Sequence, residues 1–249
     1  MLDIIVLTIA GFAAGLLNAV AGGGTFLSLP ALIWVGVPPV SANATATLTA
    51  LPGYLSSAWA FRVDMRAQGS VGLQGIIAAG MAGSLIGALL LIVTPAEVFM
   101  GVVPWLLLAA TILFASGPWI LRGARAAGLG AAGPIATLAA VIAVSIYGGY
   151  FNGGLGIMLL ATFSLLGYVD LHGMNGLKNL LSAVLSIVSV VTFITAGLIA
   201  WEQAAVMALA SLAGGYIGAR QSRKIVHTDR LRLFVTAVGI VMTLVFFFA

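Results

Sequence analysis

Two stretches of the chain carry a polar stripe through otherwise apolar sequence. In 175–189, NGLKNLLSAVLSIVS, the residues Asn175, Asn179, Ser182, Ser186 and Ser189 recur at spacings of four, three, four and three. That rhythm keeps them on one face of a helix, with Lys178 beside them. Moved back by 132 positions (175 to 43), the stripe lands on Asn43, Thr47, Ala50, Tyr54 and Ser57. Amides and hydroxyls inside hydrocarbon leave costly unpaired donors unless they meet another helix or a wet cavity. Two helices with matching polar faces therefore point to an internal repeat with a site between its halves.

The surrounding pattern predicts a series of apolar helices. A first span over 2–20 is broken by AGGG at 21–24, and a short apolar piece, 25–37, stops at Pro38-Pro39. Such a piece reaches only about 20 Å as a helix, short of the roughly 30 Å hydrocarbon core. The striped helix 41–61 follows, with Pro52-Gly53 as a kink. Span 70–93 holds Gly72, Gly75, Gly80, Gly83 and Gly87, a pattern of close helix packing. Thr94, Pro95 and Glu97 read as N-cap, N1 and N3 of span 98–120. After Gly/Ala-rich 126–133 the plan recurs: span 134–151, a break at Asn152, short piece 157–169, striped helix 174–198, span 203–219 and span 231–248. Gly214 and Gly218 match Gly83 and Gly87 at a shift of 131, and Asn18 matches Asn152 at a shift of 134.

Composition assigns the solvent. The chain is 62% hydrophobic and 6% charged, with a mean hydropathy of +1.20; a soluble domain carries about 25% charged residues. This is an integral membrane protein whose surroundings are a lipid bilayer. The net charge of +4 is spread over short loops and does not indicate nucleic acid. Cysteine is absent, which excludes a thiol nucleophile or a thiolate metal site. The N-terminus lacks a basic n-region and carries Asp3, so it reads as a retained first span.

Charge also orients the halves. After the first striped helix the loop is basic (Arg62, Arg66) and the next is acidic (Glu97); after the second, the order is acidic (Glu202), then basic (Arg220, Arg223, Lys224, Arg230, Arg232). Basic short loops stay in the cytoplasm, so the halves have opposite topologies, with five crossings each if the short pieces cross. The expected fold is an all-α polytopic membrane protein of two inverted repeats, 1–125 and 134–249, joined by a linker at 126–133. Each repeat has full-length transmembrane helices plus one short, broken, glycine-rich element. Both termini are expected outside, and the glycine-rich spans permit a homodimer.

The stretches GLLNAVAGGGTFLSLPAL at 15–32, SANATATLTALPGYLSSAWAFR at 41–62, MNGLKNLLSAVLSIVSVVTFITAGLIAW at 174–201 and LAGGYIGAR at 212–220 resemble the TauE/SafE family of sulfite and organosulfonate exporters. The resemblance implies a multi-pass transporter of the bacterial plasma membrane, built from a duplicated unit and associated with small sulfur-containing anions. One departure is that the second break reads Asn-Gly-Gly-Leu-Gly where the first has Gly-Gly-Gly.

An interrupted element in each half is where such transporters bind, because helix N-termini aim free N–H groups at an anion. Gly22, Gly23 and Gly24, with Gly153, Gly154 and Gly156, either let backbone approach a ligand or permit tight packing. Lys178, the only basic residue inside an apolar run, either faces the site or snorkels to the surface. Asn18, Thr25, Asn43, Thr45, Thr47, Asn152, Asn175, Asn179 and Ser182 could donate to an oxyanion. Asn43 and Asn175 could equally be N-caps, and Tyr54 could close the cavity. Arg62 reads mainly as a topology anchor, His172 and His227 lack the company of a metal site, and Asp170 is a candidate for proton coupling.

The leading expectation is a secondary transporter of a small anion such as sulfite or an organosulfonate, working by alternating access without a cofactor. No phosphate-binding glycine loop with lysine is present. An anion channel and a non-transporting membrane enzyme or assembly factor are the alternatives. Two histidines and scattered acids assemble no catalytic set.

Overall fold

The computed structural model describes residues 1–20, 22–63, 69–126, 132–168, 170–222 and 228–248. Ten helices occupy almost all of them: α1 (Leu2–Val20), α2 (Thr25–Trp34), α3 (Pro39–Ala60), α4 (Leu73–Val93), α5 (Ala96–Ala126), α6 (Pro134–Tyr150), α7 (Leu155–Leu165), α8 (Leu171–Thr195), α9 (Trp201–Ser222) and α10 (Thr228–Phe248). No strand occurs among the described residues. Segments of α1, α4, α5 and α8 are long and apolar enough to cross a bilayer. The 22-residue α3 is long enough too. Its hydroxyls and amide, Ser41, Asn43, Thr45, Thr47, Thr49, Ser56 and Ser57, hold its hydropathy down.

The helix ends follow from local chemistry. Gly36, Gly167 and Gly197 adopt positive φ (90°, 89° and 69°) just past α2, α7 and α8. In each case the next residue's N–H reaches back five positions: Val37 to Leu32, Tyr168 to Phe163, Leu198 to Phe193. This is the glycine C′ stop in which a left-handed residue returns N–H groups to orphan carbonyls. α3 opens with Pro39 behind Pro38, and α6 with Pro134, where the missing N–H costs nothing. Thr94 differs from expectation. Its hydroxyl donates backwards to the Leu90 carbonyl (2.6 Å) and so serves the end of α4. α5 is also longer than expected, running to Ala126; the expected linker at 126–133 falls mostly outside the described residues.

Helices pack where side chains vanish. A methyl added at Gly15 would lie 2.2 Å from the Ser211 carbonyl oxygen, and one at Gly214 would lie 2.0 Å from that of Phe12. On the other side of the molecule, Gly87 meets the Ile146 carbonyl (2.1 Å) and Gly149 that of Ser84 (2.2 Å). These distances mean backbone-to-backbone contact, the small-residue packing of membrane helices. Gly80, Gly83 and Gly87 pack as their spacing predicts; Gly72 faces open space and Gly75 only its own Val71 side chain. In α1, α3 and α9 the contacts rise together, from Gly15, Gly53 and Ser211 to Ala19, Phe61 and Ala219. Those three helices run parallel. α4, α6 and α8 form a second parallel group: Gly80 lies against Ser145 and Leu181, and further along Ser84 meets Gly149, Leu185 and Ser189. α3 and α8 face each other at the centre through Ala50, Tyr54 and Ala183. α5 and α10 pair in opposite directions, Trp105 against Phe247 and Thr111 against Gly239.

Candidate functional site

The two chain breaks meet. Gly22, at φ 83°, lies so close to Gly156 that a Cβ on Gly22 would stand 2.5 Å from the Gly156 Cα. From the opposite side, a Cβ on Gly156 would stand 2.7 Å from the Gly22 Cα and 3.2 Å from Lys178 Cδ. A side chain at either position would push the breaks apart, and one at Gly156 would also crowd the lysine. Gly24 is equally tight, against the Ala14 carbonyl and the Asn18 side chain.

Asn18 is the hub. Its Oδ1 accepts the Gly24 N–H at 2.8 Å, which fixes the amide orientation and leaves Nδ2 without a protein acceptor. Its backbone carbonyl accepts from Lys178 Nζ at 3.4 Å. Tyr54 Oη lies 3.4 Å from Asn18 Oδ1 and 3.4 Å from Asn152 Oδ1, one hydroxyl proton between two acceptors. Asn152 holds a left-handed backbone (φ 56°), the single such non-glycine among the described residues, and its Nδ2 also lacks a protein acceptor. Asparagine tolerates that conformation better than most residues, which accounts for its place at a break. Asn18, Tyr54, Asn152 and Lys178 are each at most 1% exposed.

Lys178 is a completely buried lysine whose one described acceptor is a carbonyl at the long end of hydrogen bonding. It does not snorkel. Among the described residues no carboxylate pairs with Lys178: Asp3, Glu97, Asp170 and Glu202 fall in the first turn of a helix or in a connection. A buried amine without a carboxylate is costly unless something else supplies negative charge.

The remaining stripe residues divide. Asn43 Nδ2 donates to the Tyr150 carbonyl (2.9 Å) at the end of α6, and Thr47 Oγ1 donates to the Asn43 carbonyl (3.0 Å). Thr45 points elsewhere, accepting the Ala200 N–H (3.0 Å) at the entry to α9. Thr25, Asn179, Ser182 and Ser186 are buried with polar atoms lacking a partner. Ser189 bonds Ser84 across α4 and α8 at 2.9 Å. Asn175 is partly buried in the second turn of α8. Neither it nor Asn43 is an N-cap, because α8 starts at Leu171 and α3 at Pro39. The cap of α8 is Asp170, whose Oδ2 accepts the Gly173 N–H at 3.2 Å. Gly23 opens α2 through its carbonyl, accepting the Phe26 N–H at 3.1 Å. Gly153 packs on the Phe151 ring, and Gly154 (φ 71°) faces Ala110 and Phe26. Sequence reasoning missed Tyr147, whose hydroxyl donates to the Gly153 carbonyl, and the Tyr150 carbonyl under Asn43. Two tyrosines just ahead of a glycine-rich break were the available signal.

Arg62 is exposed, donating to the Trp59 carbonyl (2.8 Å) with its guanidinium 4.5 Å above the Trp59 ring, as an interfacial anchor would. His227 and the side chain of His172 lie outside the described residues, and no metal-binding cluster occurs within them. A cavity of about 260 Å³ lies away from the breaks, where Gly36 and Ser41 meet Gly197 and Gln203. It contains none of the residues around Lys178.

Residues 7–246 match the family described as sulfite exporter TauE/SafE. YfcA of Escherichia coli, named a probable membrane transporter protein, is 31% identical over 245 residues, covering 95% of this chain and 85% of its own. A probable membrane transporter protein of Haemophilus influenzae is 32% identical over 222 residues, covering 86% and 83%. One from a Sinorhizobium species is 28% identical over 226 residues, covering 86% and 81%.

Proposed function

The chain belongs to the TauE/SafE family of membrane transporters, and from that premise we propose that it is a secondary carrier of a small oxyanion, sulfite or an organosulfonate. The observation that carries this is the meeting of the two breaks, Gly22 on Gly156, beside a buried lysine and two asparagine amides with unused N–H groups. Amide donors and one cationic side chain, enclosed and short of acceptors, are the complement of a desolvated oxyanion. Closed backbone packing at that point favours a carrier over a standing pore.

We further infer that the halves are inverted repeats. The packing pairs support this. α1 lies on α9 as α6 lies on α4, α3 on α9 as α8 on α4, and α5 on α7 as α10 on α2. Each pair becomes the other when helices are renumbered by five. Parallel α1 and α3 require α2 to return the chain, so each half makes five traverses. Counted that way, nine of the ten basic residues (all but Lys178) fall on one side, and Asp3, Glu97 and Glu202 on the other. That is the charge bias of a cytoplasmic face. Alternating access would then move one parallel group of helices against the other about the breaks.

The test is thermal stability of the purified protein across sulfite, thiosulfate, sulfate, taurine, sulfoacetate and chloride. A ligand at a hundred times its Kd stabilises by about 2.7 kcal/mol, or roughly 5–10 °C for a chain of this size. A rise confined to sulfur oxyanions or sulfonates is expected. No rise with any anion defeats the reading.

A further inference from the structure

We propose that the site selects by charge, accepting an oxyanion with one negative charge and rejecting its divalent isostere. This rests on the anion-carrier reading above and adds to it a rule about which form of the substrate binds. Among the residues gathered at the breaks, Lys178 is the one side chain able to carry positive charge; Asn18, Tyr54 and Asn152 are neutral. Of the other basic side chains described, Arg62, Arg122 and Arg220 are exposed to the surroundings and stand outside this enclosed constellation, so none of them neutralises a second charge there. With Lys178 and the constellation around it fully enclosed, a univalent anion leaves the buried site neutral, whereas a divalent one leaves an uncompensated charge out of water.

The hydrogen-bonding groups agree with a compact head of several oxygens. Asn18 Nδ2 and Asn152 Nδ2 are buried without acceptors, and Lys178 spends one N–H on a long contact to the Asn18 carbonyl. Three donor groups, from α1, the second break and α8, thus belong to one constellation joined through Tyr54 and the Asn18 carbonyl, a number that matches the three oxygens of a sulfonate or hydrogen sulfite. Sulfite in its divalent form, sulfate and thiosulfate fit the donors but not the charge.

An isosteric series separates charge from shape. Sulfate, methanesulfonate and dimethyl sulfone are similar in size and differ by replacement of oxygen with methyl, carrying two, one and no negative charges. Binding is measured by isothermal titration on the full chain in detergent at fixed pH and ionic strength. Methanesulfonate is expected to bind at least about a hundredfold more tightly than sulfate, with dimethyl sulfone weaker than methanesulfonate. In Lys178→Gln the optimum is expected to move to dimethyl sulfone. Sulfate binding as tightly as methanesulfonate, or more so, overturns the charge rule and leaves the carrier reading standing. If neither anion binds the unchanged protein, the carrier reading falls and the charge rule with it.

Discussion

Replacing Lys178 with methionine should stabilise the protein and abolish its response to anions. A lysine at the centre of a bilayer-spanning helix costs about 2.5–3.5 kcal/mol on insertion scales, an upper bound for Lys178, which lies in the N-terminal third of α8. Its described compensation is the Asn18 carbonyl at 3.4 Å, and so long a contact is worth at most about 1 kcal/mol. Methionine keeps an unbranched stem against Gly156, where Lys178 Cδ now packs, and deletes the amine without opening a large void. The expected net gain is roughly 1–2 kcal/mol, a rise of about 2–8 °C in Tm at this chain length. The chain has five tryptophans and no cysteine, so intrinsic fluorescence rather than a thiol dye reads the melt. In the same experiment the ligand-induced rise shown by the unchanged protein should vanish. A residue kept for stability would behave the opposite way. A Tm several degrees lower in Lys178→Met would make the amine a structural support, and a ligand shift that persists would remove Lys178 from the site.

Three further outcomes follow from the geometry. Gly22→Ala is expected to cost roughly 2–5 kcal/mol, combining a left-handed backbone with a methyl forced onto Gly156. Gly101→Ala, in open space within α5, should gain about 0.5–1 kcal/mol; equal effects in thermal melts would refute the contact between the breaks. Tyr54→Phe should cost only about 0.5–1.5 kcal/mol because both hydroxyl contacts are long, whereas Tyr54→Ala should cost about 3–5 kcal/mol. Denaturation midpoints that show the two variants equally destabilised would place the whole effect in the hydroxyl. Single cysteines at Val63 and Glu202, introduced into this cysteine-free chain, should react with an impermeant maleimide from opposite sides. Val63→Cys is expected to label only after lysis, and labelling of both from outside would refute the five-traverse topology.

Much of this protein was legible before folding. Scarcity of charge declared the membrane, since a bilayer interior tolerates few ions. The spacing of the stripes declared two helices with polar faces, because side-chain direction repeats every 3.6 residues whatever the neighbours are. Glycine runs at 22–24 and 153–156 marked the breaks, and glycines 83, 87, 214 and 218 marked backbone contact, since only the absence of a Cβ allows it. Local rules also had limits. Thr94 read as a cap for the helix ahead but bonds the helix behind, because a hydroxyl can satisfy either end. Asn43 and Asn175, each preceding an apolar run, were open to a capping as well as a binding role and are helix-interior residues, because Pro39 and Asp170 had already started those helices.

What only tertiary structure decided is which polar residues share a place. Thr45 and Thr47 are two residues apart in one stripe-bearing helix, yet Thr45 holds the entry to α9 while Thr47 stays on the central face. Asn18, Tyr54, Asn152 and Lys178 span 160 positions (18 to 178) and meet within hydrogen-bonding reach. No periodicity encodes that meeting. It arises because α9 packs in parallel with α1 and α3, and α4 with α6 and α8, so each half contributes a helix to the other's group and the two breaks are carried to one point. Sequence spacing sets the face a side chain occupies; helix packing sets what that face confronts.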